Sequence, residues 1–131
     1  MNGRMSKQRA ALRVVVIDDD DFEREFLVDL LRSAGFNVSA LPSVFGVTNH
    51  LVQEAVQVVV LDVMMPSIRG DKLAALLRKS GALPNLRVVL VSSLSEAELQ
   101  GLMLTAQVDA FVSKSQVRTD LARVVASVVN R

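Results

Sequence analysis

The chain has 131 residues, half of them hydrophobic, with a formal net charge of +1 and no cysteine. That length suits one domain with a single core, and the small net charge sets up no field pointing to nucleic acid or a membrane surface. The lack of cysteine excludes a disulfide framework and thiolate metal sites, and no apolar run approaches the ~20 residues of a membrane helix.

The opening "MNGRMSKQRAALR" is basic, and the apolar run after it is broken by Asp18. A cleaved signal peptide does not fit that pattern. Residues 1–11 are expected to be a flexible leader and 12–131 the domain, with the cytoplasm as its setting. "LRVVVI" (12–17) is a continuous β-branched run, the mark of a strand covered on both faces. In "DFEREFLVDLLRSAG" the apolar residues Phe22, Phe26, Leu27, Leu30, Leu31 and Ala34 recur at helical spacing, with Gly35 as a stop. "FNVSAL" (36–41) reads as a strand, and Ser43 as the cap of a helix from about Val44 to Glu54. "VQVVVLDV" (56–63) is a second buried strand, "MPSIRG" a loop and "DKLAALLRKSG" a helix. "LRVVLVSS" (86–93) is a strand. The helix at 95–106 starts on a Ser95–Glu98 capping box. "DAFVSK" (109–114) is the last strand and 117–130 the closing helix. Strand and helix alternate five times, which predicts an open parallel α/β sheet with helices on both faces.

In such sheets ligands bind beyond the carboxyl ends of the strands. Here those ends carry Asp18 and Asp19, Asp62, Ser92 and Ser93, and Lys114. Each residue alone has an ordinary explanation. An acid run before a helix supplies a cap, a strand-end aspartate bonds backbone amides, and a lone lysine is solvated. One cap needs one or two acids, however, and "DDDD" (18–21) has four. Three carboxylates, a hydroxyl and an ammonium on one edge call for a cation. Oxygen donors without histidine or cysteine suit Mg²⁺ or Mn²⁺ better than zinc. The lone His50 is read as surface or packing.

"VVVIDDDD", "VVVLDVMMPSIRG", "LVSS" and "FVSK" together resemble the receiver domain of two-component response regulators, over about residues 12–130. The resemblance implies a flavodoxin-like, doubly wound five-stranded parallel sheet of strand order 2-1-3-4-5. It implies that Asp62 accepts a phosphoryl group from a histidine kinase or histidine phosphotransfer protein. Asp18, Asp19, Asp62 and the backbone carbonyl of Met64 would hold Mg²⁺, with Mn²⁺ as a substitute, Asp19 directly and Asp18 through water. Ser92 and Lys114 would bind the phosphoryl group, and Ser92 with Phe111 would form the switch. The chain would thus catalyse its own phosphorylation and slow dephosphorylation, acting mainly as a signalling switch.

Four positions depart from the pattern. Ser115 follows Lys114 where proline is usual, and without proline no cis peptide is expected. Gln107 and Val108 replace a common Gly-Ala pair, so the preceding helix is expected to end without an easy left-handed cap. Phe111 lacks the frequent tyrosine hydroxyl, and Asp21 stands where many members have proline. Met64 and Leu94 are apolar at sites that flank the path of hydrolytic water in this family, from which slow self-dephosphorylation is expected.

Output is expected through the face of the fourth helix (95–106), last strand and closing helix, with no direct nucleic-acid or membrane contact. Leu121, Val124, Val125, Val128 and Val129 read mostly as core; Ala122, Val125 and Val129 offer a strip for a downstream protein or a second copy, and Leu99, Leu102 and Met103 share that ambiguity. The length suits a stand-alone receiver, with the receiver portion of a multidomain regulator or hybrid histidine kinase as the alternative. An aspartate-nucleophile hydrolase of the haloacid dehalogenase type would want a second acid two residues after Asp62, where Met64 stands.

Overall fold

Five parallel strands form one sheet in the order β2-β1-β3-β4-β5. The computed structural model describes residues 3–65, 68–106 and 108–130. The strands are β1 (Arg13–Ile17), β2 (Asn37–Leu41), β3 (Val58–Asp62), β4 (Arg87–Ser92) and β5 (Ala110–Ser113). The helices are α1 (Gly3–Ala11), α2 (Asp21–Ser33), α3 (Val47–Gln53), α4 (Gly70–Lys79), α5 (Glu96–Ala106) and α6 (Ala122–Val128). This is the flavodoxin-like order that the family resemblance implies.

The strand sequences explain the layering. Side chains alternate between the two faces of a strand. Val15, Ile17, Val59, Leu61, Val88 and Leu90 face α3, α4 and α5, packing on Leu51, Leu73, Leu77 and Leu99. Val14, Val16, Val58, Val60, Val89 and Val91 face α2 and α6, packing on Leu27, Leu31, Leu121 and Val125. Every residue of β3 is buried. Hence its run is apolar up to Asp62 rather than alternating.

Register positions the polar ends. Ile17 pairs with Leu61, so Asp18 falls level with Asp62. Asp62 pairs with Val91, and Ser92 with Ser113, which Lys114 follows directly. The carboxyl edge therefore collects these side chains from strands far apart in sequence.

Local chemistry sets several of these element ends. Asp20 caps α2 by accepting from the Glu23 N–H at 2.8 Å, and Asp21 opens the helix in an ion pair with Arg24. The Ser95 hydroxyl accepts from the Glu98 N–H at 3.2 Å, completing the expected box. The Lys114–Ser115 peptide is trans.

Other local features differ. Ser43 does not cap a helix; α3 starts later, at Val47, behind Gly46 with φ +68°. The Ser43 hydroxyl accepts from the Phe45 N–H instead, and the left-handed Gly46 redirects the chain only after that turn. The closing helix opens with a 3-10 turn at Lys114–Gln116 and a wide π turn at Val117–Leu121 before α6 becomes regular. Val125, read as part of a contact strip, is fully buried; Val124, Val129 and Ala122 are half-buried. Residues read as a leader carry α1. There the Arg9 guanidinium donates to the Ala34 carbonyl at 3.0 Å and lies 5.2 Å over the Phe36 ring. Pro66 and Ser67 of the loop after β3, and Gln107, lie outside the described residues.

Candidate functional site at the carboxyl edge of the sheet

β3 ends in Asp62, whose side chain is only 4% exposed. Its Oδ1 accepts from the Met64 N–H at 3.0 Å, closing a tight turn after the strand. Its Oδ2 lies 3.4 Å from the Lys114 Nζ. The turn needs room, because α4 starts against it. The Gly70 N–H donates to the Val63 carbonyl, and a Cβ on Gly70 would stand 2.4 Å from the Asp62 carbonyl oxygen. Glycine is therefore the residue that lets helix and strand end meet.

Asp18 is fully buried beside Asp62. Its Oδ1 accepts from the Asp20 N–H at 3.0 Å, while its Oδ2 is buried with no hydrogen-bond partner. Carboxylate oxygens of Asp18, Glu23 and Asp62 lie within 4.8 Å of one another, a group able to hold a metal ion. Asp19 is exposed and does not belong to that close trio. Glu23 joins it instead, although sequence reasoning did not single it out. The available signal was its place three residues after the Asp20 cap, in the first turn of the helix that leaves the acid-rich strand end. Met64 is half exposed and His50 is not in the cluster.

The electrostatics follow from this crowding. Burial, with the charges of Glu23 and Asp62, pushes the Asp18 carboxyl up to about 7 against the opposing hydrogen bond from the Asp20 N–H. Burial also opposes the charge on Lys114. Its 2.7 Å contact with Glu23 and the nearby Asp62 charge outweigh that, and hold its pKa above the ordinary lysine value.

Ser92 is fully buried at the end of β4, and its Oγ accepts from the Leu94 N–H at 3.0 Å. Phe111 is half-buried on β5 against the α5 side of the core. Its ring lines a cavity of about 220 Å³ with Leu94, Leu99, Ser113 and Gln116. It also borders a groove between α5 and α6 that includes Met103 and Arg123. The sheet thus brings together Asp18, Asp62 and Lys114, and ends two neighbouring strands in Ser92 and the Phe111 segment.

A family model for the response regulator receiver domain matches residues 14–126. The chain belongs to that family. This receiver is 29% identical to the regulatory protein VanRc of Enterococcus gallinarum over 121 residues, 85% of this chain and 50% of that protein. It is 35% identical over 86 residues to a protein-glutamate methylesterase/protein-glutamine glutaminase 2 of Caulobacter vibrioides, covering 65% of this chain and 24% of that one. The receiver spans half or less of the length of these relatives. A solved receiver domain protein from Clostridium thermocellum superposes with a TM-score of 0.79 at 20% identity, over 92% of this chain and 95% of that one. That similarity concerns the fold. Sensor histidine kinases also contain a matching segment, such as RcsC of Salmonella typhimurium at 30% identity over 103 residues. Among the described residues no helix is long and apolar enough to cross a membrane.

Proposed function

We propose that this receiver is a phosphoacceptor switch of a two-component system and that Asp62 is the acceptor. The observation that carries the reading is the setting of Asp62: buried at the end of the central strand, beside Asp18 and 3.4 Å from the Lys114 ammonium. A carboxylate needs no proton removed to act as a nucleophile. One Asp62 oxygen bonds to the phosphorus of a partner's phosphohistidine. The P–N bond breaks, and its electron pair leaves with the imidazole. The main obstacle is repulsion between two anions. Lys114 offsets it by placing positive charge where the transferring oxygens gather.

The donor set fits a hard divalent cation, since the grouped ligand atoms are carboxylate oxygens and the buried Asp18 Oδ2 has no partner. Asp18, Asp19, Asp62 and the Met64 carbonyl are the residues assigned to Mg²⁺. The ion supplies charge neutralisation for the transfer. Ser92 then donates to a phosphoryl oxygen, giving up its present turn with Leu94, and Phe111 repacks into the cavity beside that loop. The face of α5, β5 and α6 transmits the change to a downstream protein or a second copy. The donor is a histidine kinase or a phosphotransfer protein, and the setting is the cytoplasm.

Intact mass after incubation with acetyl phosphate and Mg²⁺ tests the acceptor. A phosphoryl adduct is expected on the wild type and none on Asp62→Asn or without metal; an equal adduct on Asp62→Asn would refute the assignment. Decay of the adduct tests a second point. Met64 and Leu94 are apolar at the two positions that the family resemblance sets beside the path of hydrolytic water, and apolar side chains order water poorly, so dephosphorylation is slow. Met64→Asn with Leu94→Glu is expected to shorten the adduct lifetime about tenfold or more. An unchanged lifetime removes that explanation.

A further inference from the structure

We propose that Glu23 is an additional carboxylate of the cation pocket, for which the Lys114 ammonium and a divalent cation compete. The inference rests on the receiver reading of the site and adds a residue outside the set implied by the family resemblance.

Geometry is the first support. Lys114 Nζ lies 2.7 Å from Glu23 Oε1 and 3.4 Å from Asp62 Oδ2, so the lysine leans toward α2 rather than toward the acceptor. The Glu23 side chain is 23% exposed, and its carboxylate is drawn inward to the strand ends. An oxygen of Glu23 lies within 4.8 Å of oxygens of both Asp18 and Asp62. Its backbone is held by the Asp20 cap, which sets where the side chain starts.

Charge is the second support. Three carboxyl groups surround one ammonium, so with all three ionised two formal negative charges (three minus one) are uncompensated in the pocket. The third support is the state of one buried oxygen. Asp18 Oδ2 is fully buried and accepts no hydrogen bond, with the Glu23 carboxylate beside it, in a pocket where Asp62 and Glu23 each accept one. Such an orphaned acceptor calls for a cation or a donor. A cation drawn to Asp18 and Asp62 comes within reach of the Glu23 carboxylate and displaces the ammonium from it. Lys114 is thereby released to face Asp62 and whatever Asp62 carries. Glu23 is on this account a positioning residue for Lys114.

The simpler role for Glu23 is a tether between α2 and the end of β5. The two roles separate in a Mn²⁺ titration followed by electron paramagnetic resonance, without any phosphoryl donor. Wild type would be compared with Glu23→Gln, Glu23→Asp, Lys114→Met and the double variant, each checked for folding by circular dichroism. Glu23→Gln is expected to weaken Mn²⁺ binding about tenfold, with partial recovery in Glu23→Asp. Lys114→Met is expected to tighten binding, and adding Glu23→Gln to it should weaken binding again. Unchanged affinity in Glu23→Gln, or unchanged or weaker affinity in Lys114→Met, overturns the proposal. Asp18→Asn and Asp62→Asn run alongside. If those two also leave Mn²⁺ binding intact, the cation reading of the whole pocket fails; if they weaken it while Glu23→Gln does not, only the role of Glu23 fails.

Discussion

Burying Asp18 where it lies costs the fold stability. It is fully buried, one oxygen lacks a partner, and Glu23 and Asp62 stand beside it. Its carboxyl is raised from 3.8 to about 7. The folded state therefore binds a proton that the unfolded state has already lost between pH 4 and 7. Stability contributed by this group is present at the acid end of that window and is lost as pH rises through about 7. Asp18→Asn carries no such proton. Its stability gain over the metal-free wild type should grow between pH 5 and 8, reaching on the order of a few kcal/mol. Urea denaturation at several pH values measures this, and a gain that shrinks with rising pH would contradict it. Such strain at a strand end suits the proposed cation site. Asp18, Asp62, Ser92 and Lys114 were legible because each closes a strand of recognisable pattern. Glu23 was not, because an acid in the first turn of a helix has an ordinary dipole role, and only the placement of Lys114 gives it another.

Elements obeyed their local signals where the signal and the tertiary contact agreed. The Ser95–Glu98 box starts α5, and Asp20 starts α2. They departed where a contact or a glycine conformation overrode the signal. Ser43 was a sound cap by type, yet Gly46 turns the chain after it. The closing helix was expected to be regular from 117, but a π turn intervenes between Lys114 and α6. Val117 and Leu121, at the two ends of the widened turn, are both buried on the α2 side of the core. The start of α4 is the tightest junction. Replacing Gly70 by alanine puts a Cβ 2.4 Å from the Asp62 carbonyl oxygen and 2.9 Å from its carbon. Backbone must shift, at a cost of about 1–3 kcal/mol. Because the displaced strand end carries Asp62, phosphorylation by acetyl phosphate should slow in the same variant. Thermal unfolding and adduct formation, measured together, check both; a Gly70→Ala protein with wild-type values for each would show that the junction is looser than it looks.

Across the fold, two aliphatic layers flank a sheet whose central strands are buried on both faces. That arrangement follows from alternation of β-branched runs with helical periodicity, together with the right-handed crossover that parallel strands require. Binary patterning and strand-end chemistry are local properties, so the α/β class, the five strands and most members of the site could be read along the chain. The order β2-β1-β3-β4-β5 was expected from a family resemblance, and the sheet has it. What the linear pattern lacked is distance between side chains remote in sequence. That Lys114 sits nearer Glu23 than Asp62, that Asp19 is exposed while one oxygen of the buried Asp18 accepts no hydrogen bond, and that α1 docks through Arg9 on the end of α2 are outcomes of packing. Each depends on which rotamer and which neighbour win once the layers close, and no short-range preference encodes that.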